Sequence, residues 1–129
     1  VAHRLELLPN GIIDDAYNSN PEGFKAALDV LRGFEGQRVL VTPGMVELGQ
    51  RQHELNRELG FYAASCCDYA VLVGKKQAPP LREGLLAAGF SPDRLIVEDT
   101  LADALKAVNS LPEQGKRIVL LENDLPDNY

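Results

Sequence analysis

Between Ile12 and Pro21 the chain reads Ile-Ile-Asp-Asp-Ala-Tyr-Asn-Ser-Asn-Pro, which gathers Asp14, Asp15, Tyr17, Asn18 and Asn20 into one short stretch. Carboxylates accept hydrogen bonds, carboxamides both donate and accept, and a phenol offers a ring face with a hydroxyl. Such a set suits recognition of a polar ligand. The residues before it, Gly11-Ile12-Ile13, read as a buried strand. Those after it, Phe24, Ala27, Leu28, Leu31 and Phe34, carry helical spacing. Asn20 suits an N-cap, and Pro21 suits the first helical position, where no N–H is needed. The polar set therefore falls between a strand's carboxyl end and a helix's N-terminus, where open α/β sheets bind ligands. A capped turn with solvated acids is the plainer reading, since Asp and Asn are ordinary turn residues. Against it, one turn needs one cap, and here several candidates crowd together.

A second stretch, Gly44-Met45-Val46-Glu47-Leu48-Gly49, has glycines at the spacing of a phosphate-binding loop. Gln50 and Arg51 stand where that motif requires Lys and Ser or Thr, and Glu47 would place a negative charge in the cradle. A triphosphate site is rejected. What remains is either a ligand-facing loop or a glycine-hinged connection that packs Met45 and Leu48.

The elements that must position these stretches alternate. A helix from Pro21 to about Phe34 ends near Gly33 and Gly36. A β-branched strand follows over 38–42, then a helix whose apolar face is Leu55, Leu59, Tyr62 and Cys66. A strand over 68–74, a helix opened by Pro79-Pro80 and stopped by Gly89, and a strand at 95–97 come next. Thr100 caps a helix with Leu101, Ala104, Leu105 and Val108 inward, and the last strand is 117–121. Ahead of all this, residues 3–8 read as a strand and Pro9-Asn10-Gly11 as a turn, giving an N-terminal edge hairpin. Strand and helix in alternation predict an open, mainly parallel α/β sheet with helices on both faces, Rossmann-like in outline. Gly-x-Gly-x-x-Gly is absent, so the dinucleotide fingerprint is unsupported.

The 129 residues suit a single domain, 1–129, and 45% hydrophobic with 25% charged residues fits a soluble globular chain. A net charge of −6 with no basic run argues against nucleic acid as a main partner. No apolar run is long enough to span a bilayer, and the opening Val-Ala-His-Arg is no signal peptide. Cys66 and Cys67 are adjacent and fit reduced, buried thiols in a cytoplasmic protein. His53 sits off the apolar stripe and reads as a surface residue. The missing initial methionine suggests an excised fragment.

Asp-Asp-x-Tyr-Asn-x-Asn-Pro, closing a strand and opening a helix, resembles the start of the C-terminal domain of Mur ligases. Gly-Met-x-Glu-Leu-Gly and the helix around Ala26-Ala27-Leu28 carry the likeness further, and it is strongest to the branch that uses D-alanyl-D-alanine. The resemblance implies the third domain of a three-domain, ATP-dependent amide ligase of peptidoglycan synthesis, without its N-terminal and central ATPase domains. ATP would activate a carboxylate of the UDP-MurNAc-peptide as an acyl phosphate, which the amine of D-Ala-D-Ala attacks. Mg2+ would sit on the central domain. By the same resemblance Asp15, Tyr17 and Asn18 approach ATP's adenosine, with Asp15 near the ribose and Asn18 near the purine edge. Met45, Glu47 and Leu48 would form a loop on the substrate side. No catalytic or metal-binding residue is expected in this chain.

One departure is plain: after the last strand the family commonly has Lys-Gly-Ser-Arg, and this chain has Glu122-Asn123-Asp124-Leu125. A flavodoxin-like binding module and a non-catalytic docking domain are the rival readings. The first lacks a phosphate loop, a phosphoacceptor triad and a metal set.

Overall fold

The computed structural model describes residues 11–15, 20–45, 49–112 and 115–122. In chain order these form β1 (Ile12–Asp15), α1 (Pro21–Arg32), β2 (Gln37–Thr42), α2 (Gln52–Ala63), β3 (Tyr69–Val73), α3 (Ala78–Ala87), β4 (Leu95–Glu98), α4 (Leu101–Asn109) and β5 (Arg117–Glu122). The expected hairpin at 3–8 and Pro9-Asn10 lies outside the described residues.

The five strands form one sheet in the order β1-β5-β2-β3-β4, and every pairing is parallel. Parallel strands are buried on both faces, and near-continuous runs such as Val39-Leu40-Val41 supply both. Alternate side chains divide the core. Ile13, Leu40, Ala70, Leu72, Ile118 and Leu120 pack against Phe24, Leu28, Leu59, Leu81 and Leu85 of α1, α2 and α3. Val39, Val41, Val71, Val73 and Val119 pack against Ala104 and Val108 of α4. Steps from β1 to β4 run over the first face. The return to β5 runs over the second, as right-handed crossovers require when the direction of travel reverses.

Helices α2 and α3 approach closely through glycine. A Cβ on Gly60 would meet the carbonyl of Leu81, and one on Gly84 the carbonyl of Arg57. Asn20 caps α1 by accepting the Gly23 N–H at 2.7 Å, and Thr100 caps α4 by accepting the Asp103 N–H at 3.1 Å. Both expected caps are therefore in place. The apolar stripe of α2 differs from the one expected. Its buried residues are Asn56, Leu59, Gly60 and Ala63, while Leu55 and Tyr62 are only half-buried and Cys66 lies beyond the helix. Glycine and alanine form this stripe because α3 lies too close for larger side chains.

Candidate functional site

The carboxyl ends of β1, β5 and β2 lie side by side, and pairing fixes which residues meet there. Asp15 is level with Glu122, and the Val41–Leu121 pairing brings Thr42 level with Glu122 from the other side. Side chains alternate along a strand. Asp15, Glu122 and Thr42 therefore follow Ile13, Leu120 and Leu40 onto the face covered by α1–α3. All three are completely buried. This edge of an otherwise apolar layer thus ends in two carboxyl groups and a hydroxyl.

Thr42 is fully engaged. Its Oγ1 donates to the Glu122 carbonyl at 2.9 Å and accepts the Gly44 N–H at 3.0 Å, so it ties β5 to the chain leaving β2. Gly44 has φ of +80°, and a Cβ there would come within 2.8 Å of Leu81 Cδ1 and 3.0 Å of Asn56 Oδ1. Both the conformation and the space call for glycine. Asn56 then holds the next residue on both sides. Its Oδ1 accepts the Met45 N–H at 2.8 Å, and its Nδ2 donates to the Met45 carbonyl at 2.8 Å and to the Gln52 carbonyl at 2.9 Å. A carboxamide here stands in for a neighbouring strand, satisfying backbone groups that would otherwise be buried unpaired.

Glu122 is the electrostatic anomaly. Burial, and then the hydrogen bond and charge of Asp15, push its carboxyl up to about 11, which favours the neutral acid.

Residues 3–121 match the family model described as Mur ligase, glutamate ligase domain. The chain belongs to the Mur ligase family. Over 119 residues it is 39% identical to the UDP-N-acetylmuramoyl-tripeptide–D-alanyl-D-alanine ligase of Haemophilus influenzae, covering 91% of this chain and 25% of that protein. Over 122 residues it is 31% identical to the ligase of the same name from Bacillus subtilis, covering 90% of this chain and 26% of that protein. A crystal structure of MurF from Acinetobacter baumannii superposes with a TM-score of 0.76 at 28% identity, covering 97% of this chain and 27% of that one. MurF from Thermotoga maritima in complex with ADP shares the fold, with a TM-score of 0.68 at 22% identity over 95% of this chain and 27% of that one. The chain spans about a quarter of the length of these relatives.

Of the residues that the Mur ligase resemblance marks, Asp15 closes β1 at the carboxyl edge, and Asn20 opens α1 from the same edge. Tyr17 and Asn18 lie outside the described residues, as do Glu47 and Leu48. Asp15 is completely buried. Met45 is buried and held through its backbone. His53 is exposed as expected and meets Glu83 of α3 at 3.2 Å, beside Arg57 at 2.8 Å from the same carboxylate. Cys66 and Cys67 are free thiols in buried positions, and burial pushes Cys67 up to about 12.

Three residues of the carboxyl edge have roles that the sequence reading did not assign: Thr42, Asn56 and Glu122. For Asn56 a signal existed, since Asn56, Leu59, Gly60 and Ala63 follow helical contact spacing once small residues count as inward. For Glu122 the signal was an acid ending an apolar strand run. Among the described residues no three His, Cys, Asp or Glu side chains group as a metal set. No described helix is long and apolar enough to cross a membrane. A groove of about 700 Å3 lies at the opposite edge of the sheet, lined by Phe61, Asp68, Phe90 and Arg94 among others.

Proposed function

We propose that this chain is the third domain of a cytoplasmic, ATP-dependent ligase that joins D-alanyl-D-alanine to a UDP-MurNAc-tripeptide. The observation that carries the reading is the 39% identity over 91% of the chain to a ligase named for that reaction. The polar stretch at the carboxyl edge agrees with it. ATP and the two peptide substrates meet at the junction with the preceding domains of the same protein, and Mg2+ is held there rather than here.

The chain's own part is recognition. Tyr17 and Asn18 meet adenosine, Tyr17 with its ring or hydroxyl and Asn18 with a carboxamide that donates and accepts. Asp15, buried at the root of the stretch, fixes where it leaves the sheet. Met45 anchors the loop whose Glu47 and Leu48 face the incoming dipeptide. Closure of this domain on the central one would assemble these contacts and exclude water from the acyl phosphate.

The test uses the full-length protein that contains this chain, supplied with UDP-MurNAc-tripeptide, D-Ala-D-Ala, Mg2+ and ATP. One ADP should appear per amide formed. The 129-residue chain alone should hydrolyse no ATP, because it lacks a phosphate-loop lysine and its Ser or Thr. Steady turnover by the isolated chain, or no dipeptide-dependent ADP release by the whole protein, would overturn the reading.

A further inference from the structure

Among the described residues, those packed around Glu122 on the same face of the sheet bring it no positive charge. On β1 it faces Asp15, in register and on the same face of the sheet. On β2 it faces Thr42, which is uncharged and already occupied by a backbone carbonyl and a backbone N–H. The helix above β5 is α1, whose Phe24, Ala27, Leu28 and Leu31 point inward while Glu22, Lys25, Asp29 and Arg32 are exposed. Asp14 is exposed, and Arg117 lies at the other end of β5. With its carboxyl counted only as an acceptor, neither side-chain oxygen of Glu122 has a hydrogen-bond partner among the described residues, yet the residue is completely buried. Two adjoining carboxylates cannot hydrogen-bond to each other. A carboxylic acid and a carboxylate can, and that bond is charge-assisted.

The geometry points to Glu122 as a positioning residue for Asp15: as a neutral acid it donates its proton to the Asp15 carboxylate, clamping the end of β1 to the end of β5 beneath the nucleotide contact. The upward push on the Glu122 carboxyl agrees with this state. No atom is gained or lost, since the proton stays within the pair. The nucleotide part of the inference rests on the function proposed above, whereas the shared proton does not.

Two measurements separate them. Infrared difference spectra of the 129-residue chain at pH 7, wild type against Glu122→Gln, should show a protonated carboxyl band that the variant loses. In the full-length ligase, Glu122→Leu should raise KM for ATP roughly tenfold with KM for the dipeptide nearly unchanged, as loss of one charge-assisted hydrogen bond would. Glu122→Gln, which keeps a donor at the same place, should bring KM for ATP back to within about threefold of wild type. Absence of the carboxyl band overturns the shared proton. A band that is present with Glu122→Leu at wild-type KM overturns the positioning role while leaving the ligase reading intact. A full-length protein without ligase activity removes the nucleotide role, and the spectrum still decides the proton.

Discussion

At the amino edge of the sheet, Arg38 of β2 and Asp68, just before β3, meet as opposite charges. The guanidinium reaches Asp68 through Nε at 3.2 Å and Nη2 at 3.3 Å, and the Arg38 N–H adds a third bond at 2.9 Å. Beside them Arg117 donates to Gln37 at 2.6 Å, and Gln37 donates to the Pro112 carbonyl at 2.8 Å. At the carboxyl edge, Asp15 and Glu122 meet as like groups and are deeper. The first arrangement closes the end of a domain. The second buries two carboxyl groups at the ends of neighbouring strands, and perturbed carboxyls of this kind cluster at functional sites. Burial acts to raise the Asp68 carboxyl, but hydrogen bonds from Arg38 outweigh it and hold it below the ordinary range. Glu122 moves the other way. The two edges therefore respond to pH with opposite signs.

The largest expected effect at either edge is Asn56→Ala. It strips a buried N–H and a buried carbonyl of Met45 of their partner, and should cost about 2–4 kcal/mol in urea denaturation of the chain. A loss under about 0.5 kcal/mol would mean that the Met45 backbone finds other partners, and that Asn56 is not what fixes the carboxyl edge.

Next comes Glu122. Its carboxyl is raised to about 11 in the folded chain, against about 4.3 when unfolded. The unfolded state therefore binds fewer protons through the interval between those values. Its contribution to stability is complete below about pH 4 and is lost as pH rises toward 11, with a slope of at most about 1.4 kcal/mol per pH unit. Glu122→Gln should flatten the fall in stability between pH 6 and 8, a difference of up to about 3 kcal/mol. Parallel curves for the two proteins would show that Glu122 is ionised when folded.

The smallest effect is at the amino edge. Asp68→Asn removes half of a partly exposed ion pair and should cost about 1 kcal/mol at pH 7. Because the folded Asp68 carboxyl is lowered, its contribution is present above the unfolded value and fades as pH falls through the folded one. Wild type and variant should converge in acid. A gap that persists below pH 3 would assign the loss to packing.

Legibility followed the same division. The alternation of elements, the caps at Asn20 and Thr100 and a mainly parallel sheet were readable because each is a local or periodic signal carried by its own residues. The meeting of Asp15 with Glu122 was not, because it depends on β5 inserting between β1 and β2 after a crossover by α4. Asn56 was missed because an apolar stripe was sought in α2, whereas close contact with α3 selects glycine and alanine there. Tyr17, Asn18, Glu47 and Leu48 were legible as a family likeness, and their place in the site rests on that likeness.

In the proposed ligase the carboxyl edge serves the nucleotide and the amino edge does not. The most direct measurement of that division is KM for ATP in the full-length protein for Asn18→Ala and Asp68→Asn, side by side with KM for the dipeptide. Asn18→Ala should lower kcat/KM for ATP about ten- to a hundredfold, equivalent to about 1–3 kcal/mol, with a smaller change for the dipeptide. Asp68→Asn should leave both as in wild type. ATP kinetics unchanged by Asn18→Ala, or a rise confined to the dipeptide, would contradict the account.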